Sequence, residues 1–162
     1  MLLWFLGTAL VSVWYVFTDP RFDYRLLLVG AIVPDVIDIP FGRSAWPHSL
    51  TVAVGALAVV MLVTAGRKPV RRLLLGLPIG MLLHLVWDGA FASTRVFWWP
   101  FSGSWGQTPV PSIDRSWVLA VAMEVAGAAM LVWAWRRFGL SERSARQRFV
   151  RSGLLVEPWP ST

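Results

Sequence analysis

The 162-residue chain contains no cysteine. Disulfides, thiolate metal sites and cysteine nucleophiles are therefore excluded. It is also poor in charge: Asp, Glu, Lys and Arg make up 15% of residues, where a soluble domain carries about 25%. Histidine is scarcer still, with only His48 and His84. What is present instead is apolar: 56% hydrophobic residues, a mean hydropathy of +0.59, eleven Trp and nine Phe. With its long apolar runs, this composition predicts an integral membrane protein whose Trp residues gather at the bilayer interfaces.

The apolar runs cover residues 2–18, 26–40, 50–65, 73–90 and 117–135. A hydrocarbon core of about 30 Å takes roughly 17–25 helical residues to cross. The first, fourth and fifth runs approach that length. The second is short and interrupted by Pro34, which predicts a half-span or a kinked helix. The third reaches full length if it starts near Pro47. The first run lacks a basic leader and a small-residue cleavage site, so a retained helix is expected rather than a removed signal peptide.

Basic residues orient the chain. Alternating loops place Arg21, Arg25, Arg67, Lys68, Arg71, Arg72 and the arginines after residue 135 on one side, leaving only Arg43, Arg95 and Arg115 on the other. By the positive-inside rule the basic side is cytoplasmic. The expected fold class is therefore all-α, an integral membrane helix bundle of about five spans with the N-terminus outside and the C-terminus in the cytoplasm. Residues 1–135 form the transmembrane domain and residues 136–162 a basic cytoplasmic tail. In a bacterium this is a multi-pass inner-membrane protein. The net charge of +6 is concentrated in that tail, where contact with anionic lipid headgroups is the plain reading and nucleic-acid binding the minority one.

This topology gathers the few polar residues. Asp35 and Asp38 at the end of the second run, His48 and Ser49 at the start of the third, and His84 and Asp88 at the end of the fourth all fall at the extracytoplasmic end of three helices. Two imidazoles among carboxylates in an apolar setting are what a divalent metal site requires. His84 and Asp88 are spaced i,i+4, on one helix face and at a common ligand spacing. Asp35 and Asp38 are spaced i,i+3 and share a face if the helix continues past Pro34. Each pair has a plainer reading, as exposed carboxylates at a helix end or a His–Asp hydrogen bond that locks one. His48 reads alternatively as an interfacial histidine whose neighbour Ser49 caps the helix. Glu124, inside the fifth run, is a ligand or supporting base, or else an acid bonded to a neighbouring helix. Arg43, Arg95 and Arg115 are the cations on that side and suit an anion contact, with snorkelling at the membrane edge as the alternative. Residues 91–115 have no spanning pattern; Trp98-Trp99-Pro100-Phe101 is expected to lie as an interfacial wedge over the site.

The order Pro34-Asp35-x-x-Asp38, then His48-Ser49, then Gly80-x-x-x-His84-x-x-x-Asp88, then Trp99-Pro100 resembles the YdjM-like family over about residues 26–102. That family comprises bacterial inner-membrane proteins described as metal-dependent hydrolases and as LexA-binding. Its pattern holds a Pro-Asp-x-Asp-His stretch, a His-Arg-Gly-x-Thr-His-Ser stretch, a Gly-x-x-x-His-x-x-x-Asp helix and a downstream Trp-Pro. Asp35, His48, Ser49, His84, Asp88 and Pro100 match, while Asp38 is shifted by one. Ile39 follows Asp38 where the family has histidine, and Arg43-Ser44-Ala45-Trp46 fills the region of its first His-Arg-Gly. The resemblance implies a single metal or a degenerate site rather than a multinuclear centre.

The resulting expectation is a membrane-bound, metal-dependent hydrolase of an ester or phosphoester, with a small-molecule or lipid substrate. His48, His84 and Asp88 are the first-choice ligands and Asp35 completes the set. Asp38 is a ligand or the general base, with Asp35 the other carboxylate placed for catalysis. Zinc is favoured by two imidazoles, and manganese or magnesium if carboxylates dominate. Two other readings use the same residues: a non-catalytic protein with a structural polar plug, and a scaffold that recruits a cytoplasmic partner through its tail.

Overall fold

A computed structural model describes residues 1–17, 22–41, 46–92, 94–102 and 116–155. Among these the chain is entirely helical: α1 (Leu2–Phe17), α2 (Tyr24–Asp38), α3 (Leu50–Val63), α4 (Lys68–Asp88), the single turn α5 (Thr94–Phe97), α6 (Trp117–Arg137) and α7 (Arg143–Ser152). Short 3-10 turns at Ile39–Phe41, Trp46–His48 and Ala90–Ala92 join them. Arg43 and Arg115 lie outside the described residues.

The sequence supplies the helix ends. Ser49 accepts from the Val52 N–H at 3.2 Å and starts α3 as its cap. Asp23 does the same for α2 through the Arg25 N–H at 2.9 Å. Pro69 sits in the first turn of α4, where its missing N–H is no loss, and Gly89 ends that helix with a left-handed φ of 72°. The turn holding Trp46–His48 stays separate from α3, so the third apolar run does not extend back to Pro47 as one helix.

Pro34 does not break α2. The helix runs through it for 15 residues with Pro34 buried inside, because neighbouring helices can compensate the backbone bond a proline removes. At 1.5 Å per residue α2 is about 22 Å long, short of a hydrocarbon core of about 30 Å. Two helices, α4 and α6, are long and apolar enough to cross a membrane, while α1 and α3 are shorter apolar helices.

Two glycine seams hold the helices together. Gly76 and Gly80 of α4, spaced as G-x-x-x-G, press on the α2 backbone at Leu27 and Ala31, and Gly30 of α2 presses on Leu77. A Cβ at Gly30 or Gly80 would overlap these backbone atoms. Close backbone approach through small residues is the usual way helices pack without a hydrophobic drive from water. The second seam joins α1 to α6, with Gly127 against Leu3 and Gly7 against Gly127. Rising numbers match rising numbers in both seams, so α2 runs parallel to α4 and α1 parallel to α6.

α1 also packs on α2 and α4, and α3 packs on α4. Trp87 of α4 is held by α1 from two sides: its indole N–H donates to Ser12 Oγ and its carbonyl accepts from the Trp4 indole, each at 3.2 Å. α6 continues to Arg137, and within the described residues α7 folds back so that Phe149, Leu140 and Leu155 join the cluster built on Leu10, Val13, Leu27 and Phe138.

Candidate metal centre

Three short segments meet where α2 and α4 end. α2 contributes Asp35, the 3-10 turn before α3 contributes His48, and the last turns of α4 contribute His84. Both histidines are buried, and the Asp35 side chain is 35% exposed, which leaves the cluster open on one side.

The ring orientations follow from what each Nδ1 meets. His84 Nδ1 lies 2.8 Å from the Ala31 carbonyl, which can only accept, so Nδ1 carries the proton. His48 Nδ1 lies 2.8 Å from Asp38 Oδ2, an ion-pair distance without hydrogen-bond geometry. Both Nε2 atoms face inward. They stand 3.1 Å apart, and Asp35 Oδ1 lies 3.5 Å from each. Phe5 of α1 closes one side, its ring centroid 4.0 Å from that of His84.

These distances can be compared with what a metal demands. Ligands about 2.0–2.1 Å from a tetrahedral zinc are about 3.3 Å from one another. The observed triangle has edges of 3.1, 3.5 and 3.5 Å. Two imidazoles and one carboxylate, with a fourth position open, also form a common catalytic zinc set. The residues therefore fit a divalent metal, although they do not by themselves choose which one. The same space suits a single proton. Burial opposes a charge on His48, but Asp35 and Asp38 more than offset this and raise its pKa to about 9.

The other residues singled out by sequence separate into different places. Asp88 is fully buried, and its charge contributes to the raised basicity of His48, but it is not one of the three grouped donors. The i,i+4 spacing put it on the correct face; the pinning of His84 to Ala31 aims the imidazole toward α2 and the 46–48 turn. Asp38 stands behind His48, 2.8 Å from the nitrogen turned away from the cluster, where its charge favours the cationic ring. Ser49 is fully buried as the α3 cap. Glu124 binds α1: its Oε2 accepts from the Leu3 N–H at 3.0 Å. Arg95 is exposed on α5, with its carbonyl accepting from Ser102. α5 packs on the Trp46–His48 turn, and Trp98 and Phe101 just beyond it are exposed.

Sequence reasoning missed Phe5 and the Ala31 carbonyl. An aromatic in an apolar run carries no mark of the ring it will cover, and a backbone acceptor has no sequence signal at all.

No family model matches the chain, and no curated protein or solved structure matches it.

Proposed function

We propose that the chain is a multi-pass membrane protein that binds one divalent metal through Asp35, His48 and His84 and uses it to hydrolyse an ester or phosphoester. The observation that carries this reading is the triangle of inward-facing donors, with His84 held at its other nitrogen by the Ala31 carbonyl. The resemblance to the YdjM-like family belongs to the same proposal and favours the same chemistry.

The membrane reading is supported by α4 and α6, by the apolar α1 and α3, and by large apolar side chains on the outside. Val59 and Leu62 of α3 and Val121, Val125 and Val132 of α6 are all exposed. The five-span topology requires α1 and α6 to run one way and α2 and α4 the other, which agrees with the order of contacts along both glycine seams.

A divalent metal held there supplies Lewis-acid polarisation of the scissile group and acidification of water. The chain's own residues do the rest. Ala31 fixes the His84 ring, Asp38 sets negative charge beside His48, Phe5 excludes water from one side of His84, and Asp35, on the open side, faces an incoming substrate. Asp88 adds buried negative charge that favours a cation.

A second reading has a specific observation in its favour. A proton shared between the Nε2 atoms, stabilised by Asp35 and Asp38, would make the cluster a structural polar plug. Metal analysis of the detergent-purified protein separates the two. Stoichiometric metal that disappears in His84→Ala supports the metal centre, and metal-free native protein sinks it in favour of the plug.

A further inference from the structure

α7 is joined to the bundle by backbone and apolar contacts, which leaves the charged side chains of one face unused. The Arg25 guanidinium donates to the carbonyls of Val150 and Arg151 at 2.8 and 3.0 Å and is itself clamped by both oxygens of Asp23 at 3.1 and 2.6 Å. The Tyr24 N–H donates to the Gly153 carbonyl at 2.9 Å. These bonds satisfy the C-terminal carbonyls of α7, which otherwise have no partner in a helix, and they fix its rotation. Ala145 and Arg148 then line a small gap with Phe138, Leu140 and Leu155 on the bundle side.

The opposite face is a shallow cleft lined by Arg143, Arg146, Gln147, Val150 and Arg151. Val150, in the last turn of α7, is 68% exposed and shares the cleft with these arginines. Arg146 is partly engaged at the carbonyls of Leu140 and Ser141, while Arg143 and Arg151 are exposed. Glu142, at the start of the helix, is the acidic side chain of this segment and points to solvent. α7 follows directly on the C-terminal end of α6, where Trp133, Trp135, Arg136 and Arg137 are exposed.

We propose that this cleft is a binding site for the phosphate of an anionic phospholipid headgroup, with Arg143 and Arg151 as its principal contacts and Val150 meeting the acyl boundary. The inference rests on the membrane reading above. Paired guanidinium groups recognise phosphate oxygens by charge-assisted, forked hydrogen bonds. An apolar side chain beside arginines suits a helix lying in the headgroup layer, and the neighbouring tryptophans mark that depth on α6. A lipid is preferred over free phosphate because Val150 would be left in water by an ion alone. Nucleic acid is disfavoured because the exposed apolar side of α6 adjoins the face.

The lack of native cysteine allows one introduced probe in the full chain. V150C is labelled with an environment-sensitive fluorophore and the protein is reconstituted into phosphatidylcholine vesicles containing spin-labelled phosphatidylglycerol or spin-labelled phosphatidylcholine. Phosphatidylglycerol should quench preferentially, and the preference should fall towards one in R143Q/R151Q, since an arginine at an anionic surface contributes about fivefold to association. R148Q, whose side chain is exposed but borders the gap against Phe138 and Leu155 rather than the cleft, should keep the preference. Equal quenching by the two lipids overturns the proposal, as does an equal loss in R148Q, which would show diffuse charge only. Loss of the preference on adding inorganic phosphate overturns the lipid assignment in favour of a phosphate-ion site. Flotation with phosphatidylcholine vesicles tests the embedding separately, so a chain that does not float refutes the membrane reading rather than the cleft.

Discussion

His84 reaches across from α4 to the Ala31 carbonyl of α2 at 2.8 Å, and this one bond decides which nitrogen faces His48. With Nδ1 donating, His84 Nε2 is a lone pair that faces His48 Nε2 at 3.1 Å and Asp35 Oδ1 at 3.5 Å. That lone pair can accept a proton carried on His48 Nε2 or bind a metal, and the two states respond differently to pH and to loss of a donor.

Removing a donor should remove the metal. His48→Ala, His84→Ala and Asp35→Ala should each abolish stoichiometric binding by elemental analysis. Asp38→Asn, which leaves the three donors but removes the negative charge beside His48 Nδ1, should weaken affinity by about 10–100-fold, the usual range for a group that supports a ligand. An undiminished affinity in Asp38→Asn would mean that this charge does not support the ligand.

Metal affinity should rise with pH. The His48 pKa is raised to about 9, with burial opposing and Asp35 and Asp38 favouring its charge. Below that value a metal must displace the proton, so apparent affinity should fall about tenfold for each pH unit lowered. In the metal-free protein the sign is opposite: the stabilisation by the His48 charge is complete below about pH 6.5, the ordinary histidine value, and is lost as pH rises through 9. Titration calorimetry in buffers of different ionisation enthalpy should register about one proton released per metal bound near neutral pH.

Glycines in this bundle should respond with opposite signs. Gly80→Ala places a methyl group against the α2 backbone, whereas Gly55 of α3 has open space around it. Overpacking costs about 1–3 kcal/mol, while an unhindered Gly→Ala in a helix gains up to about 1 kcal/mol. Thermal unfolding in detergent should therefore show Gly80→Ala less stable than the parent and Gly55→Ala equal or more stable. A stable Gly80→Ala would mean the α2–α4 seam opens without cost.

Cysteine scanning tests the topology without a background of native thiols. Single cysteines at Phe101 and at Ser144 should react with a membrane-impermeant maleimide from opposite sides of oriented vesicles. Labelling of both from one side would refute the five-span arrangement.

The salt bridge that clamps α7 should be measurable by hydrogen exchange. Arg25→Gln removes the two bonds to the carbonyls of Val150 and Arg151, and hydrogen bonds from a charged group each contribute about 1.5–3 kcal/mol. Amides of Arg143–Ser152 should exchange about tenfold faster or more, with those of α4 unchanged.

The meeting of α2, the 46–48 turn and α4 was readable in the sequence because apolar runs that alternate with short connections bring those three ends together. Individual roles were less readable. Spacing places Asp88 on the His84 face, but the direction of the imidazole is set by a carbonyl on another helix. Glu124 reads from sequence either as a site acid or as an acid bonded to a neighbouring helix, and the partner, the Leu3 N–H of α1, has no sequence signal. Pro34 and the short run suggest a half-span or a kink, and α2 is a short helix that continues through the proline. The G-x-x-x-G at Gly76 and Gly80 was present in plain view and is the packing signal that went unread. The docking of α7 depends on the Asp23–Arg25 pair, two residues whose nearness in sequence says nothing of what else they hold.

The double grip of α1 on Trp87 has a mechanical consequence. With Ser12 holding the indole and Trp4 holding the carbonyl of the same residue, α4 cannot slide lengthwise past α1 without releasing both. Relative sliding of the two helices therefore breaks both bonds at once, which ties the position of the cluster at the end of α4 to α1, whereas α3 is tied to it through α4 and the 46–48 turn.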